Sequence, residues 1–337
     1  MTARAWAELL RVSALFTVPG DALAGAAAVG RRPNRSTALA VGASLCLYEA
    51  GMALNDWADR EEDAVDRPHR PIPSGRITPR AALTAAGALT AAGLALAARA
   101  GRPALTVATG LAATVWAYDL RLKHTPAGPA AMAAARGLDL LLGATATGTA
   151  PATATAPATA TAPAPATATA PATAPAPASP ARAVPAALPA AALLTAHTYA
   201  VTAVSRHEAR GGSTTAPLAA LTAVAALGGA VMRDRPGEAR RPGETERAGE
   251  GRRAAAPARL LVTALTGAYL RTAGRPLAHA ALNPSPPLTQ RAVGGGIRAM
   301  IPLQAALAAR AGASGTALAV MGLVPLARSL ARKVSPT

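Results

Sequence analysis

The stretch NDWADREEDAVDRPHRPIPSGRI, residues 55–77, is the most acidic part of a chain that is otherwise rich in alanine. Six of the seventeen carboxylates of the chain fall within it, and basic residues follow them closely. Apolar runs lie on both sides, so these charges are gathered at one point between two hydrophobic segments. A charged loop that connects two membrane spans has this layout, and the stretch therefore indicates a membrane protein.

The composition also favours a membrane protein over a soluble domain. Apolar residues make up 51% of the 337 residues, and the mean hydropathy is +0.25. Apolar runs of about 17 to 20 residues, the length that crosses a bilayer, recur along the chain. We therefore predict an all-α, polytopic fold of about nine transmembrane helices, because Arg271 weakens the eighth run. The runs lie at 12–30, 37–54, 81–99, 103–120, 129–148, 184–204, 215–232, 257–274, 291–309 and 314–331.

The positive charge of the chain points to the membrane and to an anionic ligand. A formal net charge of +17 would suggest a nucleic-acid partner if the chain were soluble. The arginines, however, lie mainly between apolar runs, without aromatic interleaving or a known nucleic-acid motif. We therefore expect the lipid bilayer and an anionic substrate as partners, and no nucleic acid. The chain has a single cysteine, Cys46, so an intramolecular disulfide bond is excluded. This cysteine lies in an apolar run.

Two polar segments interrupt what we predict to be a single domain of residues 1–337. Residues 146–182 form a low-complexity Ala/Thr/Pro loop, in which proline recurs without hydrophobic periodicity, so we expect a disordered connection between two halves. Residues 233–255 form a charged loop that we also predict to be disordered. Outside that loop, the basic residues favour placing the acidic stretch on the cytoplasmic side of a multi-pass protein of the cell membrane.

The first apolar run contains two residues that interrupt a simple hydrophobic pattern. Pro19 and Asp21 lie in the middle of it, and a second run follows directly. This arrangement favours a first transmembrane helix over a cleaved signal peptide. The polar residues of this helix are expected to face the same cavity as the acidic stretch.

Acidic residues of the opening stretch recur at helical spacing. If the second apolar helix continues through residue 63, residues separated by three and four positions lie on one of its faces. Carboxylates stacked in this way repel each other unless a cation neutralises them, and hard oxygen ligands suit Mg²⁺. The other interpretation is an ordinary charged loop at the membrane surface. The residues concerned are Asn55, Asp56, Asp59 and Asp63.

The order of these residues resembles a known family motif. The string N-D-x-x-D-x-x-x-D, followed by DRPHRPIPSGRIT, is similar to the first aspartate-rich motif of the UbiA superfamily of intramembrane prenyltransferases. The stretch YDLRLK, residues 118–123, is similar to the Tyr-x-x-x-Leu-Lys element of that family. The stretch RGLDLLLG, residues 136–143, resembles its Arg-x-x-Asn/Asp-x-Leu-Leu-Gly pattern. The chain is therefore identified from its sequence as a candidate member of this superfamily.

The resemblance implies a UbiA-like bundle of helices around a central cavity. It also implies Mg²⁺-dependent transfer of an isoprenoid from a prenyl diphosphate to a small-molecule acceptor, which the motifs do not identify. In this interpretation Asp56, Asp59 and Asp63 hold Mg²⁺, and Asn55 supports them. The bound ion would act as a Lewis acid on the leaving diphosphate.

Other matched positions would bind the substrates. The resemblance implies that Arg67 and Lys123 meet the diphosphate, with Tyr118 beside it. Arg136 and Asp139 lie three residues apart within an apolar run, so they are expected to face each other or a polar cavity. We expect them to bind substrate, with a purely structural buried pair as the other possibility.

The second half departs from the family pattern. The family usually carries a second aspartate motif after the sixth span, where this chain reads SRHEARGG. Glu208 is the one acidic residue there, so it would help to hold a second Mg²⁺, with Arg206 and Arg210 at the substrate. The other possibility is that the second metal site is lost. This stretch and RAVGGGIRAMIPLQAALAARAG, residues 291–312, are similar to the EboC-like branch, which is tied to natural-product gene clusters.

Two functions of different classes follow from these observations. The first is a Mg²⁺-dependent membrane prenyltransferase. The second is a non-catalytic UbiA-like protein that binds or carries an isoprenoid-linked metabolite, which the sparse second motif favours. The chain lacks the spaced aspartate string of CDP-alcohol phosphotransferases. His197 and Gln304 lie inside apolar runs and are expected to be structural.

Overall fold

The computed structural model describes residues 2–149, 180–233 and 248–334, and within these ranges every regular element is helical. A 3₁₀ segment at Val12–Thr17 and a π-helical turn at Tyr118–Leu122 accompany the α-helices. The α-helices are α1 (Ala3–Leu9), α2 (Pro19–Ala28), α3 (Arg35–Ala58), α4 (Arg60–Asp66), α5 (Pro79–Ala100), α6 (Arg102–Ala117), α7 (Gly128–Thr149), α8 (Pro180–Ser205), α9 (Thr215–Met232), α10 (Ala248–Leu282), α11 (Pro286–Arg310) and α12 (Ser314–Val334).

Each predicted apolar run corresponds to a helix, and the all-α membrane fold is confirmed. The run at 215–232 has the same bounds as α9. Within the described residues, five helices are long and apolar enough, by length and composition, to cross a membrane: α3, α5, α9, α11 and residues Arg182–Ser205 of α8. Shorter apolar helices are Leu15–Ala28 and Ser314–Pro325. The number of spans is therefore not fixed at the nine that the sequence predicts.

The first predicted helix, 12–30, is wrong in one respect, because it is divided in two. The 3₁₀ segment ends at Thr17, and α2 begins at Pro19. The proline ring fixes φ and lacks an N–H group, so it suits the first position of a helix but interrupts a continuous one. Arg11, just before the 3₁₀ segment, has a φ of 49°. This bent entrance turns the Arg11 side chain toward the end of α3.

The two loops predicted from composition are shorter than expected at their ends. Residues 146–149 belong to α7, residues 180–182 to α8, and residues 248–255 to α10. Alanine is the strongest helix former, and Pro180 occupies the helix start that proline favours. Helices α7 and α8 therefore extend into the two ends of the low-complexity segment. The remaining parts of the two loops, 150–179 and 234–247, lie outside the described residues.

Small residues let the helices approach closely. Helix α3 packs against α5, α7 against α8, and α10 against α11, while α2 lies in the crevice between α7 and α11. A Cβ atom on Gly25 of α2 would collide with the backbone of Leu140 and Ala144 in α7. Gly143 of α7 lies against the backbone of Ala22 in the same way. In a bilayer, close backbone contact of this kind is the main source of helix association.

Buried polar groups join helices of the bundle, and one of them connects its two halves. Gln304 of α11 donates through Nε2 to the Thr17 carbonyl at 2.7 Å and to Asp21 Oδ1 of α2 at 2.6 Å. His197 of α8 lies 3.0 Å from the hydroxyl of Tyr269 in α10 and, through its other nitrogen, 3.0 Å from a carbonyl of α11. Inside a membrane such groups require partners. These contacts support the structural roles expected for Gln304 and His197.

The crossing of α2 and α7 generates the first prediction. Gly25→Ala is expected to lower the stability of the folded protein by about 1–3 kcal/mol, because the new methyl group meets rigid backbone. Gly110→Ala in α6 is the matched control, since no atom lies within 4 Å of a Cβ at that position. The control is expected to be neutral or to stabilise by up to about 1 kcal/mol through helix propensity. Thermal unfolding in nanodiscs, read by tryptophan fluorescence, compares the two variants; equal melting temperatures would contradict the backbone contact.

Candidate functional site

The acidic stretch forms a helix end with a break. Helix α3 ends at Ala58, Asp59 has the non-helical dihedrals φ −88° and ψ 4°, and α4 follows. The face predicted from the sequence assumes one helix through residue 63, whereas the structure has a break at Asp59. The backbone N–H of Asp59 still bonds to Asn55 at 2.9 Å, and that of Asp63 bonds to Asp59 at 2.8 Å. Because these bonds keep the spacing of four residues, Asn55, Asp59 and Asp63 share one face.

That face forms one wall of a cavity of about 680 Å³. Charged side chains surround its mouth, near the end of α3. Apolar side chains form the walls further in. The cavity extends along α3 from residue 55 to residue 47, a distance of about 12 Å at 1.5 Å per residue. The apolar lining consists of Leu47, Met52, Leu111, Val115, Met132 and Ala135.

The structure brings together ten of the twelve site residues that the sequence predicts. They come from the helices α3, α4 and α7, and from the segments that follow α4, α6 and α8. Asp56 and Arg210 are the two exceptions, since neither lines the cavity. Arg210 is exposed on the segment that follows α8. The ten are Asn55, Asp59, Asp63, Arg67, Tyr118, Lys123, Arg136, Asp139, Arg206 and Glu208.

Asp56 lies behind the cavity wall, so the predicted direct contact with a metal ion does not fit its position. Its side chain is 5% exposed and contacts Arg11 Nη2 at 3.2 Å and Arg70 Nη1 at 3.4 Å. The reason is the helical rotation, because Asp56 directly follows Asn55 and therefore points about 100° away from it. The side chain of Asp56 holds two arginines that line the cavity.

The carboxylates of the cavity wall are paired with cations. Asp63 accepts from Arg70 Nη1 at 2.6 Å and from Arg67 Nη1 at 3.3 Å. The ammonium group of Lys123 forms an ion pair with Asp59. Arg70 thus bridges Asp56 and Asp63, and it fixes the segment after α4 against the end of α3. Pairing is expected here because an isolated buried charge is costly.

Sequence reasoning missed several residues of this site. Arg70 belongs to the second Arg-Pro pair of the opening stretch, so the motif contained a signal for it. Asp119 lies within YDLRLK, but its position in the cavity follows from the π-helical turn, which the sequence pattern does not reveal. The remaining missed residues that line the cavity near its charged mouth are Glu62 and His124. Arg11 also lines it there, in agreement with the expectation that polar residues of the first helix face this cavity.

The oxygen ligands at the mouth fit a hard divalent cation. Among the described residues, ligand atoms of Asp59, Glu62 and His124 lie within 4.8 Å of one another. Asp63 lies on the same face as Asp59, one helical turn further on. Carboxylate oxygens suit Mg²⁺, whereas an imidazole is a ligand of transition metals. The carboxylates would therefore hold the ion, with His124 beside them at the exposed edge.

The second half contributes little negative charge. The segment after α8 places Ser205, Arg206 and Glu208 on the cavity wall, and Arg206 Nη1 donates to the Thr125 carbonyl at 2.8 Å. Burial raises the pKa of the Glu208 carboxyl, and the nearby charge of Arg67 opposes this shift. Within the described part of the second half, Glu208 is the one carboxylate of the cavity wall.

The inner end of the cavity is polar. Arg136 Nη1 donates to Asp21 Oδ2 at 2.6 Å, and Asp139 accepts a hydrogen bond from Ser44. Arg136 and Asp139 both line the cavity, and each has its main partner on another helix. Their position agrees with the expectation of a polar cavity rather than with a simple ion pair between them.

Comparisons with known proteins give a consistent result. The model of the UbiA prenyltransferase family matches residues 13–235. Digeranylgeranylglyceryl phosphate synthase of Methanopyrus kandleri is 38% identical over 128 residues, 36% of this chain and 45% of that protein. The synthase of Halobacterium salinarum is 35% identical over 154 residues, 44% of this chain and 55% of that protein. The chain thus spans about half the length of the curated relatives that it matches.

Solved structures show the same fold. A UbiA homologue of Archaeoglobus fulgidus bound to GPP and Mg²⁺ superposes with a TM-score of 0.54 at 19% identity, covering 90% of this chain and 99% of that one. The apo structure of a UbiA homologue of Aeropyrum pernix K1 has a TM-score of 0.54 at 16% identity, with coverage of 85% and 96%. At these identities the likeness concerns the fold.

The bridge made by Arg70 generates the second prediction. Arg70→Ala is expected to destabilise the protein by about 1–3 kcal/mol, because Asp56 and Asp63 each lose a buried partner and keep one other arginine. Arg80→Ala is the control, since Arg80 is exposed at the start of α5. Thermal unfolding in nanodiscs measures the difference. Equal stability of the two variants would show that Arg70 does not carry the bridge.

The pair between Arg76 and Glu8 generates a prediction on pH. Arg76 donates to both Glu8 oxygens, at 2.6 and 3.0 Å, and these hydrogen bonds lower the pKa of Glu8 from its ordinary 4.5. A carboxyl with a lowered folded pKa stabilises the protein above its unfolded pKa and loses this effect as pH falls through the folded value. The melting temperature of the wild type should therefore exceed that of Glu8→Gln at pH 7, and the gap should close as the pH falls below the ordinary pKa of a glutamate.

The expected gap is small because both side chains are partly exposed. Asp66→Asn, which alters an exposed carboxylate of α4, controls for general effects of charge. A gap between wild type and Glu8→Gln that stays constant with pH would contradict the role of the ion pair.

Proposed function

We propose that this chain, which belongs to the UbiA prenyltransferase family, transfers a prenyl group from a prenyl diphosphate to an acceptor with a glycerol-phosphate-like group. The observation that carries the proposal is the cavity itself. Its charged mouth combines carboxylates that suit Mg²⁺ with basic side chains that suit a diphosphate, and its apolar interior suits an isoprenoid chain.

The residues of the mouth have complementary tasks. Transfer breaks the bond between C1 of the prenyl group and a diphosphate oxygen, and the electron pair leaves with the diphosphate. Lys123, Arg67 and Arg70 are placed to bind the leaving group and to stabilise its growing negative charge. A Mg²⁺ ion held by Asp59, Glu62 and Asp63 would add Lewis-acid stabilisation of the same oxygens.

The apolar interior has its own task in this proposal. A new bond forms between C1 and an acceptor oxygen, which releases its proton. Before that bond forms, C1 carries partial positive charge and must be kept away from water. The side chains of Leu47, Leu111 and Val115 surround the space below the mouth and exclude water from it. The prenyl chain would occupy this space.

The acceptor class rests on the relatives and on the charge of the cavity. Both curated relatives described above are digeranylgeranylglyceryl phosphate synthases. Arg206 and Gln290 of the second half also line the cavity. An acceptor phosphate would find a basic partner in Arg206. We place the mouth on the cytoplasmic side of the membrane, as the basic residues favour.

A second function is favoured by the sparse second half. With Glu208 as the one carboxylate that the described second half adds to the cavity wall, the chain would bind a prenyl diphosphate without turnover. The protein would then hold or carry an isoprenoid-linked metabolite. The release of diphosphate separates this alternative from the transferase.

The proposed function generates the fourth prediction. Purified protein in nanodiscs, with Mg²⁺, geranyl or geranylgeranyl diphosphate and a glycerol-phosphate ether lipid, is expected to release diphosphate and form a prenylated product. Asp59→Asn should reduce the rate by about 100-fold or more, because the negative charge that binds the essential ion is lost. Asp66→Asn, an exposed carboxylate outside the cavity, should keep the wild-type rate.

The same assay decides between the two functions. Glu208→Gln should lower the rate if this carboxylate contributes to the site, and should match the wild type if the first half is sufficient. Chelation of Mg²⁺ with EDTA should abolish release. Tight binding of the prenyl diphosphate without release, with every donor and with the acceptor present, would overturn the transferase and support the carrier.

A further inference from the structure

Asp119 is a buried carboxylate of the cavity that the proposed reaction leaves without a task. It belongs to the π-helical turn that follows α6 and is 4% exposed. It lines both the main cavity and the smaller pocket on the outer side of Asp59. A carboxylate buried between these two spaces requires a hydrogen-bond partner. The identity of that partner therefore indicates the role of Asp119.

The partner of Asp119 is Asn55. Asn55 Nδ2 donates to Asp119 Oδ1 at 3.1 Å, from α3 to the π-helical turn. In this contact Asn55 is the donor and Asp119 the acceptor, so the amide presents its NH₂ end to Asp119. The carbonyl oxygen of the amide lies on the other side of the group, and Asn55 lines the cavity beside Asp59. Asp119 therefore determines which atom of Asn55 is available to a ligand.

The local backbone is arranged to make this contact. Lys123 N bonds to Tyr118 O at 3.0 Å, five residues back, and this wider turn rotates Asp119 relative to a regular helix. Gly51 lies one turn before Asn55 on the same face of α3. A Cβ at Gly51 would lie 3.0 Å from Val115 Cγ1 and 3.8 Å from Asp119 Oδ2, so the glycine lets the end of α6 approach α3.

We propose that Asp119 is a positioning residue, which holds the Asn55 amide with its oxygen toward the divalent cation. The proposal rests on the proposed function, because it concerns the same site. An unrestrained asparagine amide rotates between two orientations, one of which presents NH₂ to a cation. Removing a residue that orients a ligand in this way typically weakens metal affinity or activity by about 10–100-fold.

The test measures binding of Mn²⁺, used as a paramagnetic probe, by electron paramagnetic resonance on the full chain in nanodiscs. Asp119→Ala is expected to weaken Mn²⁺ binding by about 10-fold or more. Asp119→Asn keeps an oxygen that can accept from Asn55 Nδ2, so it is expected to stay within about threefold of the wild type. Asp66→Ala, at an exposed position of α4, is the control and should bind like the wild type.

A double-mutant cycle with Asn55→Ala separates positioning from direct coordination. If Asp119 acts through Asn55, Asp119→Ala adds no loss of Mn²⁺ affinity in the Asn55→Ala background. A full additional loss there, together with an Asp119→Asn variant as weak as Asp119→Ala, would overturn the proposal in favour of a direct ligand. If Asp119→Ala fails to fold, the Asp119→Asn result still decides, since a direct ligand predicts a loss and positioning does not.

The wild type distinguishes this inference from the proposed function. Mn²⁺ binding by the wild type that is unchanged in Asp119→Ala overturns the role of Asp119 and leaves the proposed transferase intact. Absence of Mn²⁺ binding to the wild type overturns both. Turnover measured beside binding is expected to show the same order of variants, with the wild type and Asp119→Asn above Asp119→Ala.

Discussion

Neutralisation of the carboxylates at the end of α3 is the constraint on which the rest of the structure depends. These groups lie at the boundary of an apolar bundle, where an unpaired charge costs several kcal/mol. Asp56 and Asp63 are held by arginines, and Asp59 is held by Lys123. The cations come from separate segments of the chain, so the pairing brings those segments together around one cavity.

The bent entrance to the bundle is part of the same arrangement. Arg11 has a left-handed backbone, which costs about 1–2 kcal/mol for a residue with a side chain. Its guanidinium reaches Asp56, and the 3₁₀ segment that follows leads into α2. Helix α2 carries Asp21, which Arg136 and Gln304 contact from α7 and α11. The 3₁₀ segment thus connects the polar contacts at the charged mouth with those at the inner end of the cavity and in the second half.

The sequence predicts those parts of the fold and site that depend on local pattern. Apolar runs of membrane-spanning length mark the helices, and the aspartate string marks the end of α3. Each of these signals is contained in a short, continuous stretch of sequence. Asp56 lies off the cavity face, which the string of acidic residues does not reveal, since adjacent side chains on a helix diverge by about 100°. Asp119 could not be found, because its role depends on a π-helical turn and on Asn55, 64 residues away. The narrower resemblance to the EboC-like branch stays a prediction.

The charge balance of the cavity explains how one chain can suit both a cation and an anion. Among the residues that the structure describes, six carboxylates and six arginine or lysine side chains line it, so their formal charges balance. In the proposed reaction, a diphosphate would compete with carboxylates for Lys123 and Arg70, and a divalent cation would compete with these basic groups for Asp59 and Asp63. Each ligand would then release the partners that the other one requires, and thermodynamic linkage makes such coupling reciprocal. The described second half adds only one carboxylate to the cavity wall, so this exchange of partners would take place mainly in the first half. There the aspartates, the arginines and Lys123 already lie in contact.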